Sequence, residues 1–85
     1  MQRDLYNSSS VRFHTISLWP TEELKDAHKD GLAIWYIRSG QCNIFYRSGL
    51  RFAKSDESIV INEEVRRIRN VGRTRLLVHV MWVQD

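Results

Sequence analysis

The amino-acid sequence predicts a small all-β domain, a sandwich or barrel of short antiparallel strands. Runs rich in β-branched and aromatic residues recur along the chain, and turn residues separate them at roughly 8–12-residue intervals. No segment has the apolar i, i+3, i+4 spacing that a helix-turn-helix requires. With 85 residues, 42% of them hydrophobic, the chain is long enough for one domain with a small core. We therefore expect a single domain over residues 1–85.

Seven strands are predicted, and residues that favour turns bound each of them. The runs are, in order, Val11–Trp19, Leu32–Arg38, Asn43–Arg47, Arg51–Ala53, Ser58–Ile61, Val65–Arg69 and Leu76–Val83. In the first run, alternate side chains point to opposite faces of the strand, and the run ends before Pro20. The others are short apolar or alternating runs enclosed by turns at Lys29-Asp30-Gly31, Ser39-Gly40, Ser48-Gly49, Ser55-Asp56, Asn62-Glu63 and Asn70-Val71-Gly72.

Two segments fall outside this pattern. Thr21–Lys29 is predicted as a turn or a short helical piece, because Thr21 followed by Glu22 and Glu23 resembles a capped helix start. This segment is too short and too polar to be a main core helix. Residues 1–10 are expected to form a flexible N-terminal arm.

The strands of the central stretch carry apolar side chains on both faces. In Ala33–Arg38, one face has Ala33, Trp35 and Ile37, and the other has Ile34, Tyr36 and Arg38. A sheet with one solvated side would show a purely polar face, which is missing here. The pattern favours a barrel wall whose outer face is itself covered, and it leaves open which face points inward.

The charge distribution leaves several classes of partner open. The net charge is +3, and residues 38–85 hold nine basic side chains against five acidic ones. A mixed solvated surface explains this balance best, although a basic half also suits an anionic ligand or nucleic acid. No apolar run is long enough to span a membrane, and the single cysteine, Cys42, cannot form an internal disulfide. We expect a cytoplasmic protein without a membrane partner, with Cys42 as a small buried hydrophobe.

Three segments carry a resemblance to a known family. They are "AHKDGLAIWYIRSGQCNI", "RFAKSDESIVINEEVRRI" and "NVGRTRLLVHVMWV", in this order and spacing. Over roughly Val11 to Val83 the chain resembles the cupin-type N-terminal sensor domain of AraC-family transcription regulators. The resemblance implies a jelly-roll barrel that senses a small-molecule effector, forms homodimers, and reaches DNA only through an attached or partner domain.

The chain departs from this family's relatives that bind metal. Where metal-binding cupins place two histidines and a glutamate, this chain offers His28 alone, with the glutamate position near Ala33 or Ile34. Arg66-Arg67 stands where a later histidine would lie. A metal site needs three or four converging N or O ligands, so we expect no metal, no cofactor and no catalytic residue. The alternative, a stand-alone cupin-like metal-binding protein or enzyme, requires His14, His28 and His79 to converge.

Candidate site residues follow from aromatic and polar side chains on the predicted strands. The candidate ligand-binding residues are Trp35, Tyr36, Arg38, Phe45, Tyr46, Arg66, Arg67 and His79. Alternation predicts that one of the two adjacent arginines points inward. The candidate anchors of a dimer interface are Phe13, Trp19, Trp35 and Trp82. A third interpretation, a β-barrel that binds RNA or another single strand through arginine and aromatic side chains, also remains open.

Overall fold

Eight antiparallel strands build the part of the chain that this computed structural model describes, residues 10–84. They are β1 (Ser10–Leu18), β2 (Glu23–His28), β3 (Leu32–Ser39), β4 (Gln41–Tyr46), β5 (Leu50–Lys54), β6 (Ser58–Ile61), β7 (Val65–Asn70) and β8 (Leu76–Gln84). The all-β prediction is confirmed. These residues include no helix that could cross a membrane. Of the predicted arm, residues 1–10, Ser10 is the first residue of β1, and the rest lies outside the described residues.

The strands form two four-stranded sheets that face each other. Sheet A has the order β1-β8-β3-β6, and sheet B has the order β2-β7-β4-β5. Apart from the β4–β5 hairpin, each strand lies in the sheet opposite to the strand before it, so the chain crosses the core repeatedly. This is the jelly-roll arrangement, and the predicted barrel architecture is therefore confirmed.

The core fills the space between the two sheets. In β3, Ala33, Trp35 and Ile37 are fully buried, so this face of the strand points inward and the face of Ile34 and Tyr36 points outward. The buried apolar residues are Ile16, Leu18, Ala33, Trp35, Ile37, Cys42, Ile44, Ala53, Ile59, Ile61, Val65, Ile68, Leu76, Val78 and Val80. Because these side chains occupy the middle of the barrel, a ligand would bind at one end of it or on the outside.

The segment predicted as a turn or helical piece is a strand, and that prediction is wrong. Glu23–His28 forms β2, which pairs with β7 through Glu23 opposite Arg69 and Lys25 opposite Arg67. Thr21 has a φ of 73°, which is outside the extended conformation of a helix N-cap residue. As an edge strand, β2 has its partner on one side only, so most of its side chains remain exposed and polar.

A β-bulge in β7 changes the orientation of the two adjacent arginines. Phe45 pairs with Arg67, but the next residue of β4, Tyr46, pairs with Val65, so Arg66 is an extra residue in β7. Both arginines are exposed, while Val65 is buried. The prediction that one of them points inward is therefore wrong, because the bulge interrupts the regular alternation.

One buried amide ties the two sheets together at one end of the barrel. Asn70, which is 1% exposed, donates from Nδ2 to the carbonyl oxygens of Leu18 and Thr74, at 3.0 and 2.9 Å. Its Oδ1 accepts from the backbone N–H of Gly72 at 2.9 Å. These bonds join the end of β1 in sheet A to the end of β7 in sheet B and to the turn that follows. We call this the closed end of the barrel.

Candidate functional site

A cavity of about 330 Å³ lies at the opposite end of the barrel, which we call the mouth. Its lining comes from β1, from β8, from the end of β2 and from the turn between β2 and β3: His14, Asp26, Ala27, His28, Lys29, Asp30, Val80 and Trp82. His14 on β1 pairs with Val80 on β8. It lies on the same face of β1 as the buried Ile16, which is the face that points into the barrel. The volume is at the lower end of the range that small-molecule sites occupy.

Two rings of the mouth hold the turn between β2 and β3 against the barrel wall. Trp82 donates from Nε1 to the carbonyl oxygen of Asp30 at 3.2 Å, and His28 Nε2 lies 3.0 Å from the carbonyl oxygen of Gly31. The two rings meet edge to face, with centroids 6.2 Å apart. A carbonyl only accepts hydrogen bonds, so His28 Nε2 is the donor in this contact.

We expect Gly31→Ala to destabilise the mouth. Gly31 has a φ of 84°, and an added Cβ would lie 3.1 Å from both Trp82 Nε1 and the carbonyl oxygen of Val83. A side chain in the left-handed region costs about 1–2 kcal/mol before any clash. Urea unfolding measures the loss, and Gly49→Ala is the matched control because nothing lies within 4 Å of its added Cβ. Equal stability of the two variants would contradict this account of the turn.

Two of the three histidines share the cavity. His14 and His28 both line it, whereas His79 lies on the outer face of sheet A, with Nδ1 3.2 Å from Thr15 Oγ1 and its ring stacked on Tyr36 at 6.3 Å. Among residues 10–84, no group of three or more His, Cys, Asp or Glu side chains is arranged to hold a metal ion. The three-histidine convergence that a metal-binding cupin would need is therefore not formed.

We expect chelator-treated protein to keep its melting temperature within about 1 °C of the untreated protein. A structural metal contributes folding free energy directly, so its removal would lower the melting temperature markedly. Differential scanning calorimetry before and after dialysis against EDTA makes the comparison. A drop that added Zn²⁺ or Mn²⁺ reverses would show that the histidines of the mouth do hold a metal.

None of the eight candidate ligand-binding residues lines the mouth cavity. Trp35 is fully buried and pairs with Val80, so its indole fills the barrel at the level of the cavity. Tyr36, Arg38 and His79 lie on the outside of sheet A. Phe45, Arg66 and Arg67 lie on the outside of sheet B, whereas Tyr46, at the end of β4, is partly buried against the core. All four line one groove. Ligand binding by these surface residues stays a prediction.

Tyr36 takes part in a polar contact on the outside of sheet A. Its hydroxyl donates to Asp56 Oδ1 at 2.9 Å, and this hydrogen bond to a carboxylate raises the pKa of Tyr36. The phenol therefore stays protonated at neutral pH. Together with the stacked His79, this contact makes a polar row beside the apolar part of the same face.

The four predicted interface anchors occupy different environments. Phe13 is 74% exposed on the outer face of β1, and Trp19 is exposed with the Arg75 guanidinium 5.1 Å from its ring centroid. Trp82 is half-buried in the wall of the mouth. Trp35 has no exposed surface, so it cannot touch a partner of the closed barrel. Interface roles for the other three stay predictions.

The thiol of the chain belongs to the core. Cys42 is fully buried, and burial raises its pKa to about 12. The thiolate, which is the nucleophilic form, is therefore negligible at neutral pH. The prediction that Cys42 is a buried hydrophobe is confirmed.

The polar residues of the mouth that sequence reasoning missed are Asp26, Lys29 and Asp30, and the apolar ones are Ala27 and Val80. Asp26 and Lys29 belong to the segment predicted as a turn or helical piece, and Asp30 belongs to the predicted turn Lys29-Asp30-Gly31. A signal was present, since the polar run from Asp26 to Asp30 surrounds His28 and ends at Gly31. That run joins two strands, and loops at strand ends are frequent places for binding residues.

Comparisons with known proteins agree on the fold. No protein-family model matches the chain, and no curated protein matches its sequence. A cupin 2 conserved barrel domain protein from Salinispora arenicola is similar in structure, with a TM-score of 0.75 and 10% identity, over 85% of this chain and 61% of that one. The cupin domain of Schizosaccharomyces pombe Cnp3 has a TM-score of 0.78 and 13% identity, over 100% of this chain and 61% of that one.

A predicted oxalate decarboxylase from Thermotoga maritima is also similar, with a TM-score of 0.73 and 21% identity, over 94% of this chain and 71% of that one. This chain thus spans less than two thirds of the length of the Salinispora and Schizosaccharomyces chains. At such identities the likeness shows the fold, which is the cupin double-stranded β-helix. The cupin-type fold that the resemblance implies is confirmed, and the link to AraC-family regulators stays a prediction.

Proposed function

We propose that this chain is a small-molecule-binding cupin domain whose effector binds in the cavity at the mouth, and that it is the sensing and dimerisation part of a transcription regulator. The cavity itself is the observation that carries the proposal. It joins an indole, two imidazoles and two carboxylates at the open end of an otherwise filled barrel. A concave site with a few converging polar groups is the usual form of a small-ligand pocket.

The lining chemistry favours a neutral polyhydroxy ligand. The lining contains two carboxylates, Asp26 and Asp30, and one ammonium, Lys29. An anionic ligand would therefore meet an excess of negative charge. Carboxylates and imidazoles accept hydrogen bonds from hydroxyl groups, and the half-buried Trp82 offers an apolar ring face beside them. A molecule with hydroxyls around an apolar ring or chain matches both kinds of surface.

Saturation-transfer NMR with a panel of pentoses, hexoses and polyols tests this proposal. We expect at least one member to bind, and Asp26→Asn to weaken its binding about tenfold by removing a charged acceptor. Asp56→Asn is the matched control. Both aspartates have positive φ, at 53° and 73°, and asparagine tolerates that conformation, but Asp56 lies away from the mouth. If nothing binds at millimolar concentration, or if both variants bind alike, the mouth is not the effector site.

A regulator role would need a DNA-reading element beside this barrel. The described residues contain no helix that could enter a major groove, so recognition of DNA would come from an attached or partner domain. The support for this role is the order and spacing of the three segments that resemble AraC-family sensors. A cytoplasmic location is part of the proposal and is supported by the single buried cysteine.

Dimerisation is supported by the outer face of sheet A. Two cross-strand rows there are apolar: Val11, Val83 and Leu32 form one, and Phe13, Met81, Ile34 and Val60 form the other. Phe13 is 74% exposed and Val60 is 61% exposed. Contiguous exposed apolar surface of this kind marks an interface, and we propose a second copy of this chain as its partner.

The alternative function, a stand-alone metal-binding cupin or enzyme, has one observation in its favour. His14 and His28 share the mouth with the Asp26 and Asp30 carboxylates. Calorimetric titration with Mn²⁺, Ni²⁺ and Zn²⁺ separates the two functions. Tight stoichiometric binding that is lost in His14→Ala would favour the alternative, and weak binding without defined stoichiometry would favour the effector domain.

A further inference from the structure

The outer face of sheet B brings cations and aromatic rings together. Two neighbouring cross-strand rows cover it: Lys25, Arg67 and Phe45, and beside them Glu23, Arg69, Asn43 and Phe52. Residues two apart along a strand point to the same side of the sheet, so the two rows form one surface. This surface lies on the opposite side of the molecule from the apolar rows of sheet A.

The bulge in β7 adds a further cation to this surface. Arg66 and Arg67 are both exposed at a groove of about 470 Å³, whose lining also includes Lys25, Phe45 and Tyr46. A regular strand would have sent one of the two arginines toward the core. Bulges are frequent next to functional sites, where they re-aim a side chain, and here the bulge doubles the guanidinium groups beside the groove.

The positive charge of this surface is only partly neutralised. Arg67 and Arg69 both approach one carboxylate, Glu23, at 3.9 and 3.8 Å, and each guanidinium side chain is 46% exposed. Exposed pairs at such distances are weak and exchange easily with another anion. Lys25, Arg66, Arg67 and Arg69 are balanced by two carboxylates, those of Glu23 and Asp26, which leaves a positive surplus.

Flat surfaces for stacking accompany these cations. The Arg67 guanidinium carbon lies 4.4 Å from the centroid of the Phe45 ring, so the planar cation covers one side of the ring. The Phe52 ring, in the next row, is 52% exposed. Nucleic-acid bases stack on aromatic rings and on guanidinium planes alike, and a base does so only when its own face is free.

We propose that the outer face of sheet B binds single-stranded nucleic acid. The phosphates lie against Lys25, Arg66 and Arg69, and bases stack on Phe52 and on the layered Arg67 and Phe45. A surplus of cations supplies the attraction to the backbone, and the rings supply the preference for unpaired bases. Paired bases in a duplex have no free face for these rings, so the single strand is the favoured occupant.

Fluorescence anisotropy of a labelled oligo(dT) of about 12 nucleotides, titrated with the full chain at several salt concentrations, tests this proposal. For three to four phosphate contacts the logarithm of the association constant falls against log salt with a slope of about −2 to −3. Arg66→Ala, which removes one of the three phosphate contacts, is expected to bind about tenfold more weakly at low salt, with a slope shallower by about 0.7. Arg73→Ala removes the same charge from the turn between β7 and β8 and is expected to change neither.

Stacking is tested by a second pair of variants. We expect Phe52→Ala to bind about tenfold more weakly and Phe52→Tyr to bind as the wild type does, because tyrosine keeps the ring face. Circular dichroism checks that each variant is folded. No binding by micromolar protein at low salt would overturn the proposal, as would binding by Phe52→Ala equal to that of the wild type, or equal losses in Arg66→Ala and Arg73→Ala. Equal affinity for the strand, its duplex and heparin would also overturn it, since charge alone would then explain the binding.

Discussion

Trp35→Ala is expected to lower the free energy of unfolding by about 3–5 kcal/mol, the largest loss we expect from a single substitution in this chain. The indole is fully buried between Val80 of β8 and Ile59 of β6, its two cross-strand neighbours in sheet A. Its removal leaves a void in the middle of the core. Domains of this kind have only about 5–15 kcal/mol of stability in total, so a large fraction of this variant is expected to be unfolded under mild denaturing conditions.

A conservative variant at the same position separates packing from polarity. Trp35 Nε1 is buried without a hydrogen-bond partner among the described residues, and an unsatisfied buried donor costs about 1–3 kcal/mol. Trp35→Phe removes that unsatisfied donor and keeps a ring. The loss of side-chain volume lowers the stability, and the removal of the unpaired N–H raises it. We expect its stability to stay within about 1 kcal/mol of the wild type.

Urea unfolding followed by circular dichroism measures both Trp35 variants. Added indole should recover part of the stability of Trp35→Ala, because a dry apolar cavity binds a ligand of its own shape. Equal losses in Trp35→Ala and Trp35→Phe would contradict this account, since the ring that phenylalanine keeps would then add no stability over alanine.

Phe13→Asp is expected to convert a dimer into a monomer. Phe13 lies at the β1 end of the longer apolar row of sheet A and is its most exposed member, so an aspartate there would place a carboxylate within the proposed interface. We expect association to weaken at least about 100-fold, which corresponds to about 3 kcal/mol. The fold is expected to survive, because the side chain is exposed in the single chain and surface substitutions change stability little.

Sedimentation equilibrium over the micromolar range decides the dimer prediction. The wild type should approach the mass of two chains and Phe13→Asp that of one. Val71→Asp introduces the same charge at another exposed apolar residue, in the turn after β7, and should leave the dimer intact. A wild type that has the mass of one chain at every concentration would refute the interface and leave a self-contained barrel.

The positions of most strands could be predicted because the signals for them are local. Runs of β-branched residues between turn residues place Ser58–Ile61 with the bounds the structure shows, and Leu32–Ser39 to within one residue. β2 was missed because its pairing partner, β7, lies some 40 residues further along the chain, and an edge strand needs few apolar residues of its own. The bulge at Arg66 was missed for a similar reason, since it is defined only by the register against β4.

The site was harder to predict than the fold because its residues are far apart in sequence. His14, His28 and Trp82 meet only when β1, the end of β2 and β8 reach the same end of the barrel. The candidate residues chosen from the strands instead lie mostly on outer faces. Alternation in β3 could not separate inside from outside, because the outer face of sheet A is apolar as well. Apolar side chains on both faces of β3 are also what is expected if a partner covers the outer face of sheet A, as we propose.

The strand order of sheet A also determines when the barrel can close during synthesis. β8, the last of the eight strands, lies between β1 and β3. Until β8 is made, β1 has no partner in sheet A and β3 can pair only with β6. Until then the edge of β3 that pairs with β8 has unpaired backbone groups, while the β4–β5 hairpin can already form from neighbouring residues. Contacts between the first and last strands are the most distant in sequence, and such contacts slow folding. Most of the barrel is thus expected to form only once the ribosome has released β8, and a pause before Leu76 would leave an aggregation-prone half-sheet exposed.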